Sequence, residues 1–148
     1  MPRSLDAFFR HLSSAFFAED YDAVVQHYRY PLPFTALDEL IIFGSPERYA
    51  DALRIYNEKM KENRIVGFEA QVRDGETVND AFRKVRVDWK QHDKDGNVYD
   101  VFHASYVLSW PEDQKYPKIE MVDYDDLSIA EIVEKMAMVS VDKVTRSA

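Results

Sequence analysis

Asp100 is the carboxylate in this sequence best placed to do chemistry. Two β-rich runs flank the turn Asp93-Lys94-Asp95-Gly96. A two- or four-residue loop there sets Val85, Val87 and Trp89 against Asp100, Phe102, Ala104 and Tyr106. A three-residue loop sets them against Val101, His103 and Ser105 instead, which joins less apolar surface, so the first register is expected. In that register Asp100 shares a face with Val98, Phe102 and Trp89. Desolvation there disfavours its charged form, and a raised pKa suits a general acid or base. At the solvated end of the hairpin the same residue is an ordinary carboxylate, and both readings stand. Arg83 points to this face too, but it lies ~20 Å from Trp89 at the rise of a strand. It therefore cannot pair locally with Asp100, and a structural ion pair at the sheet edge is its expected role.

Tyrosines and tryptophans form the second chemical resource. Tyr28, Tyr30, Tyr49, Tyr56, Trp89, Phe102, Tyr106 and Trp110 belong to a chain that is 14% aromatic, so most of them are core. A buried phenol nevertheless wants a hydrogen-bond partner. Several hydroxyls converging on an apolar cavity would suit a flat, weakly polar ligand. Histidines 11, 27, 92 and 103 show no metal-binding spacing, and His103 is expected beside Arg86 on the opposite sheet face. Asp93-Lys94-Asp95-Gly96 has the look of a calcium loop, but that frame puts Phe102 where a bidentate glutamate belongs. Asp123, Asp125 and Asp126 read as a solvated loop. There is no glycine-rich phosphate loop and no Gly-x-Ser-x-Gly elbow, so no metal and no cofactor is expected.

The elements that must position these side chains follow from periodicity. Leu5, Phe8, Phe9, Leu12 and Phe16 recur at helical steps and form one apolar stripe. Glu19-Asp20 interrupts the stripe and opens a second short helix carrying Val24, His27 and Tyr28, which Tyr30-Pro31-Leu32-Pro33 ends. Leu40 to Phe43 reads as a short strand or hairpin arm. Ser45-Pro46-Glu47 starts a third helix with an N-cap, a proline at the first position and an acid in the first turn. Its apolar face is Tyr49, Leu53, Tyr56 and Met60.

From Arg64 the period becomes two. Val66 to Val72 forms a strand ended by a turn at Asp74-Gly75, a second strand runs through Trp89, and a third spans Val98 to Trp110. Tyr116 to Tyr124 forms a last strand. Ser128-Ile129-Ala130-Glu131 has capping-box spacing and predicts a C-terminal helix over about 128–140.

The chain has 148 residues, 46% of them hydrophobic and 31% charged, the dimensions of one globular domain. A single domain over 1–148 is expected, its core at about 4–125. The net charge of -8 repels phosphate backbones and anionic lipid, which argues against nucleic-acid or membrane-surface partners. With no cysteine, disulfides, thiolate nucleophiles and Cys-ligated zinc are excluded. Charges interrupt the apolar residues near the start, and no apolar run is long enough to span a bilayer. A cytoplasmic location is the default.

Helices first, then long antiparallel strands, is an α+β plan. With the Phe8/Phe9/Leu12/Phe16 helix, Tyr21-Asp22-Ala23-Val24-Val25, Tyr30-Pro31-Leu32-Pro33, the Ser45-Pro46-Glu47 helix start and hairpins to Trp110, the chain resembles the NTF2-like superfamily. That superfamily is also described as SnoaL-like, ketosteroid-isomerase-like or cystatin-like. The resemblance spans roughly residues 4–125 and rests on the order and spacing of elements. It implies three helices packed on a curved antiparallel sheet that forms a cone, with the C-terminal helix as an addition. It also implies that the face carrying Trp89, Phe102 and Tyr106 lines the cone. The ligand contacts expected there are Trp89, Phe102, Tyr106, Tyr56 and Tyr28.

Members of the superfamily commonly dimerise through the sheet. The outer face, with Tyr99, Val101, His103 and Val107, is apolar enough to be a dimer surface or to be covered by the C-terminal helix. The sequence departs from the superfamily's enzymes. The first helix holds no tyrosine to act as the oxyanion donor of the isomerases, an Asp-Arg-Asp epoxide hydrolase set cannot be assembled, and no histidine pair is visible. Three functions follow as expectations. The first is a homodimer binding a small apolar or aromatic molecule. The second is an isomerase, cyclase or dehydratase using Asp100 as acid–base residue. The third is a protein-interaction domain.

Overall fold

The computed structural model describes residues 2–35, 39–73, 76–77, 81–110, 115–124 and 142–145. Helix α1 (Pro2–Phe17) buries the expected stripe of Leu5, Phe8, Phe9, Leu12 and Phe16. The short helix α2 (Tyr21–Val25) begins where the Asp20 carboxylate accepts the Ala23 N–H at 3.2 Å. It ends before His27 and Tyr28, which the sequence reading had placed on it. The reason is a competing tie: Tyr28 bridges in parallel to Ile119, and Ile119 N–H donates to the His27 carbonyl at 2.8 Å. Helix α3 (Pro46–Glu62) opens with the Ser45 hydroxyl accepting the Arg48 N–H at 3.3 Å, with Pro46 at the first position as expected. Its buried face holds Tyr49, Leu53, Tyr56 and Met60, together with Ala52 and Asn57.

Eight strands are found among the described residues: β1 (Leu32–Thr35), β2 (Glu39–Phe43), β3 (Gly67–Val72), β4 (Glu76–Thr77), β5 (Phe82–His92), β6 (Val98–Ser109), β7 (Lys118–Asp123) and β8 (Asp142–Thr145). They form one sheet in the order β3-β5-β6-β7-β1-β2-β8, with β4 paired to β5. The sheet is mixed where an antiparallel one was expected, because β1 and β7 run parallel. Those strands lie far apart in the chain, and the intervening helix and strands supply the long crossover that parallel pairing requires.

The expected register between β5 and β6 is the observed one: Val85 faces Tyr106, Val87 faces Ala104, Trp89 faces Phe102 and Gln91 faces Asp100. Irregularities at Gln91/His92 and at Val107/Leu108 let the long strands bend around the helices. The connecting turn is held by the Asp93 carboxylate, which accepts N–H bonds from Asp95 and Asn97, both at 2.9 Å. Gly96 takes φ +84°, a conformation that favours glycine. It is a turn, as the sequence suggested.

Alternation along β5 and β6 separates two environments. Val85, Val87, Trp89, Phe102, Ala104 and Tyr106 are buried, while Lys90 and Val101 face outward. The turn at Asp74-Gly75, the loop at Asp125-Asp126 and the C-terminal helix over 128–140 lie outside the described residues. No helix of the described residues is long and apolar enough to cross a membrane.

Candidate functional site

The inner face of β5 and β6, with α1, α2 and α3, encloses an open cavity of about 80 Å³. All five residues expected to contact a ligand line it: Tyr28, Tyr56, Trp89, Phe102 and Tyr106. The structure adds Tyr49 from α3, Phe68 from β3, Phe34 from β1 and Tyr124, which follows β7. Tyr49 stands on the expected apolar face of α3 and in the aromatic set singled out from the sequence, whereas Tyr124 was marked there only as the end of the last strand. Phe68 had only its strand alternation as a signal. No Asp, Glu, His, Lys or Arg lines the cavity among the described residues.

Aromatic packing sets the wall. Trp89 stacks on Phe102 with 6.4 Å between ring centroids and 19° between planes, and Phe9 of α1 meets the Tyr106 ring at 5.0 Å. Phe68 stacks on Phe16 at 5.5 Å, closing the wall between α1 and β3. Trp89 Nε1–H donates to the Tyr106 hydroxyl oxygen at 2.9 Å, and Gln91 Nε2 donates to the Tyr56 hydroxyl oxygen at 3.2 Å. Burial pushes the Tyr28 phenol up to about 12, although its hydrogen bond with Tyr49 opposes the rise. Burial also holds Tyr49, Tyr106 and Tyr124 well above the ordinary phenol range, reinforced by repulsion from neighbouring would-be phenolates. It raises Tyr56 against its hydrogen bond with Gln91, with the Asp100 charge adding to the rise. The cavity therefore presents neutral hydroxyls at every physiological pH. It can grip an apolar ring and address it with phenol hydrogen bonds.

Asp100 is not among the cavity-lining residues. It is partly buried on β6 opposite Gln91, and its Oδ1 accepts the Val101 N–H at 2.9 Å. Arg83 lies opposite Leu108, far along the strand from Asp100.

Two sequence readings are corrected on the outside of the sheet and beside α1. His103 does not sit against Arg86 as its direct neighbour: the register puts it opposite Asp88, and its Nδ1 lies 2.6 Å from the Asp88 carboxylate. Asp88 also receives Arg73 Nε at 2.5 Å. Burial works against the Asp88 charge, but these hydrogen bonds outweigh it and hold the carboxyl below its usual range. A histidine pair, invisible in the sequence, joins α1 to the segment after α2, with His11 Nε2 3.2 Å from His27 Nε2. The Tyr116 ring stacks on His11 at 5.4 Å. Burial, with help from His11 and Lys118, lowers the His27 pKa to about 4. The pair lies outside the cavity. No group of three or more His, Cys, Asp or Glu residues able to hold a metal occurs among the described residues.

Three helices packed on a bent mixed sheet around an internal pocket define an α+β protein of the NTF2-like, cystatin-like class. The sequence model of the NTF2-like protein family DUF6841 matches residues 3–117, and the chain belongs to that family. No curated protein matches it. Among solved structures it is similar to an NTF-2 like protein of unknown function from Shewanella oneidensis MR-1. The two share 14% identity with a TM-score of 0.60, over 85% of this chain and 100% of that one. An NTF2-like protein with a cystatin-like fold from Novosphingobium aromaticivorans shares 9% identity with a TM-score of 0.60, over 94% and 88% of the two chains. A ketosteroid isomerase-like protein from Erwinia carotovora atroseptica shares 13% identity with a TM-score of 0.54, over 82% and 92%. At these identities the likeness is one of fold.

Proposed function

We propose that this chain is a cytoplasmic homodimer that binds a small apolar or aromatic molecule in its cone-shaped cavity. The observation that carries the reading is the cavity's lining: aromatic on several sides, free of charged side chains among the described residues, and provided with phenol hydroxyls. Apolar walls with a few convergent polar groups are the usual character of small-molecule sites. Dimerisation is supported by the outer sheet face, where Tyr99 is 57% and Val101 45% exposed. Apolar side chains in such a position gain from being covered by a second sheet.

Native mass spectrometry of freshly purified protein tests both parts. The reading expects twice the chain mass plus a releasable small molecule. An empty monomer that takes up no single-ring aromatic compound contradicts it.

A second reading, an isomerase, cyclase or dehydratase using Asp100, draws on one observation. Asp100 lies opposite Gln91, the residue that donates to Tyr56 in the cavity wall, and its charge helps to raise the Tyr56 pKa. If a substrate is found, Asp100→Asn must abolish turnover. Full activity in that variant rejects the enzyme reading as stated.

A further inference from the structure

The hydrogen bond between Trp89 and Tyr106 says more about the ligand than the apolar walls do. An indole nitrogen can only donate, so the Tyr106 oxygen is the acceptor of this bond. The phenol's own proton is therefore directed away from Trp89. No hydrogen-bond acceptor for it is found among the described residues, although the Tyr106 side chain is buried and lines the cavity. A buried hydroxyl proton needs an acceptor, and the cavity is where one can be supplied.

Charge and size narrow the acceptor's carrier. A carboxylate brought into this cavity would lose its hydration and meet no cationic side chain, a cost that neutral molecules escape. Burial keeps Tyr106 in its protonated, donating form. The volume of about 80 Å³ is below the roughly 150 Å³ of an apolar cavity that admits benzene. A single ring therefore fits only with part of it at the open mouth or with a lining side chain displaced, and fused rings fit worse.

Resting on the ligand-binding reading above, we propose that the cavity selects a neutral, single-ring aromatic molecule bearing a carbonyl-type oxygen. Tyr106 donates its hydroxyl proton to that oxygen, and Trp89 holds the phenol in position.

The test uses three probes on the intact protein: acetophenone, α-methylstyrene and benzoate. The first two share a planar shape and differ by oxygen against methylene. Acetophenone is expected to bind and benzoate is not. Tyr106→Phe should weaken acetophenone about three- to tenfold, the weight of one hydrogen bond, and leave α-methylstyrene unchanged. Because Tyr106→Phe strands the Trp89 N–H, the double variant Trp89→Phe/Tyr106→Phe removes donor and acceptor together. It provides the same comparison if the single variant does not fold.

If both neutral rings bind and lose affinity equally, or not at all, in these variants, carbonyl recognition is wrong and the ligand cavity survives. Benzoate binding as tightly as acetophenone overturns the neutral-ligand claim. If neither neutral ring binds the wild-type protein, the cavity reading itself fails.

Discussion

The two faces of the β5–β6 hairpin use the same strands to opposite ends. Inside, Trp89 donates a neutral hydrogen bond to Tyr106 beside the buried Phe102 ring, with no formal charge on any of the three. Outside, Asp88 gathers Arg73 and His103, and Lys84 Nζ stands 3.8 Å from Asp123. A period of two suffices to build both, because alternate side chains enter different dielectric surroundings. The inner face should therefore govern stability and ligand binding through packing and unsatisfied polar atoms. The outer face should govern association and acid sensitivity, with smaller effects that solvent screens.

The largest expected effect is on the inner face. Trp89→Ala removes a buried indole and should cost about 3–5 kcal/mol in denaturant unfolding, along with ligand uptake. A loss under about 1 kcal/mol would mean the wall is not packed as described. Tyr106→Phe is subtler, since the stranded indole N–H should cost about 1–3 kcal/mol. Adding Trp89→Phe should restore part of that loss, and simple additivity in the double-mutant cycle would contradict the pairing.

Acid sensitivity separates the inner face from the charged and histidine-bearing surfaces. His27 titrates near 4 in the folded chain and near its ordinary value of 6.5 when unfolded. Between those values the unfolded chain binds the extra proton, so stability falls as pH drops from about 6.5 to 4. His27→Gln should flatten the melting temperature across that window, and an unchanged slope would contradict the burial that lowers the His27 pKa. Asp88, whose folded pKa is lowered, contributes stability above the unfolded carboxylate range and loses it only as pH falls below about 4. Arg73 is half exposed, so Asp88→Asn should cost no more than about 1 kcal/mol at neutral pH. The smallest change in stability belongs to Val101→Arg, within about 0.5 kcal/mol for a surface site. It should nevertheless shift the protein from dimer to monomer in sedimentation, and a persistent dimer would move the interface elsewhere.

Much of this was legible from local pattern. The α1 stripe, the Ser45 cap and the β5–β6 register each follow from neighbours in sequence or from which face must be dry, and the register brought Trp89, Phe102 and Tyr106 together. What escaped depends on contacts between distant segments. The parallel pairing of β1 with β7 and the edge strand β8 carry no local signature of their partners. His11 and His27 sit on different elements, and only the docking of α1 against the segment after α2 makes them a pair. Asp100 illustrates the limit of face assignment: alternation named its face, but its place near the hairpin end leaves it outside the cavity lining.

The central claim is that a neutral acceptor enters the cavity and engages Tyr106. The chain has two tryptophans, buried Trp89 and Trp110, which is 39% exposed, so each indole N–H gives its own signal in a ¹⁵N-resolved NMR spectrum. Titration with acetophenone should move the Trp89 indole resonance, whose proton is bonded to Tyr106, and leave that of Trp110 in place. A Trp89 signal that stays fixed at saturating ligand, or a shift confined to Trp110, would contradict the account.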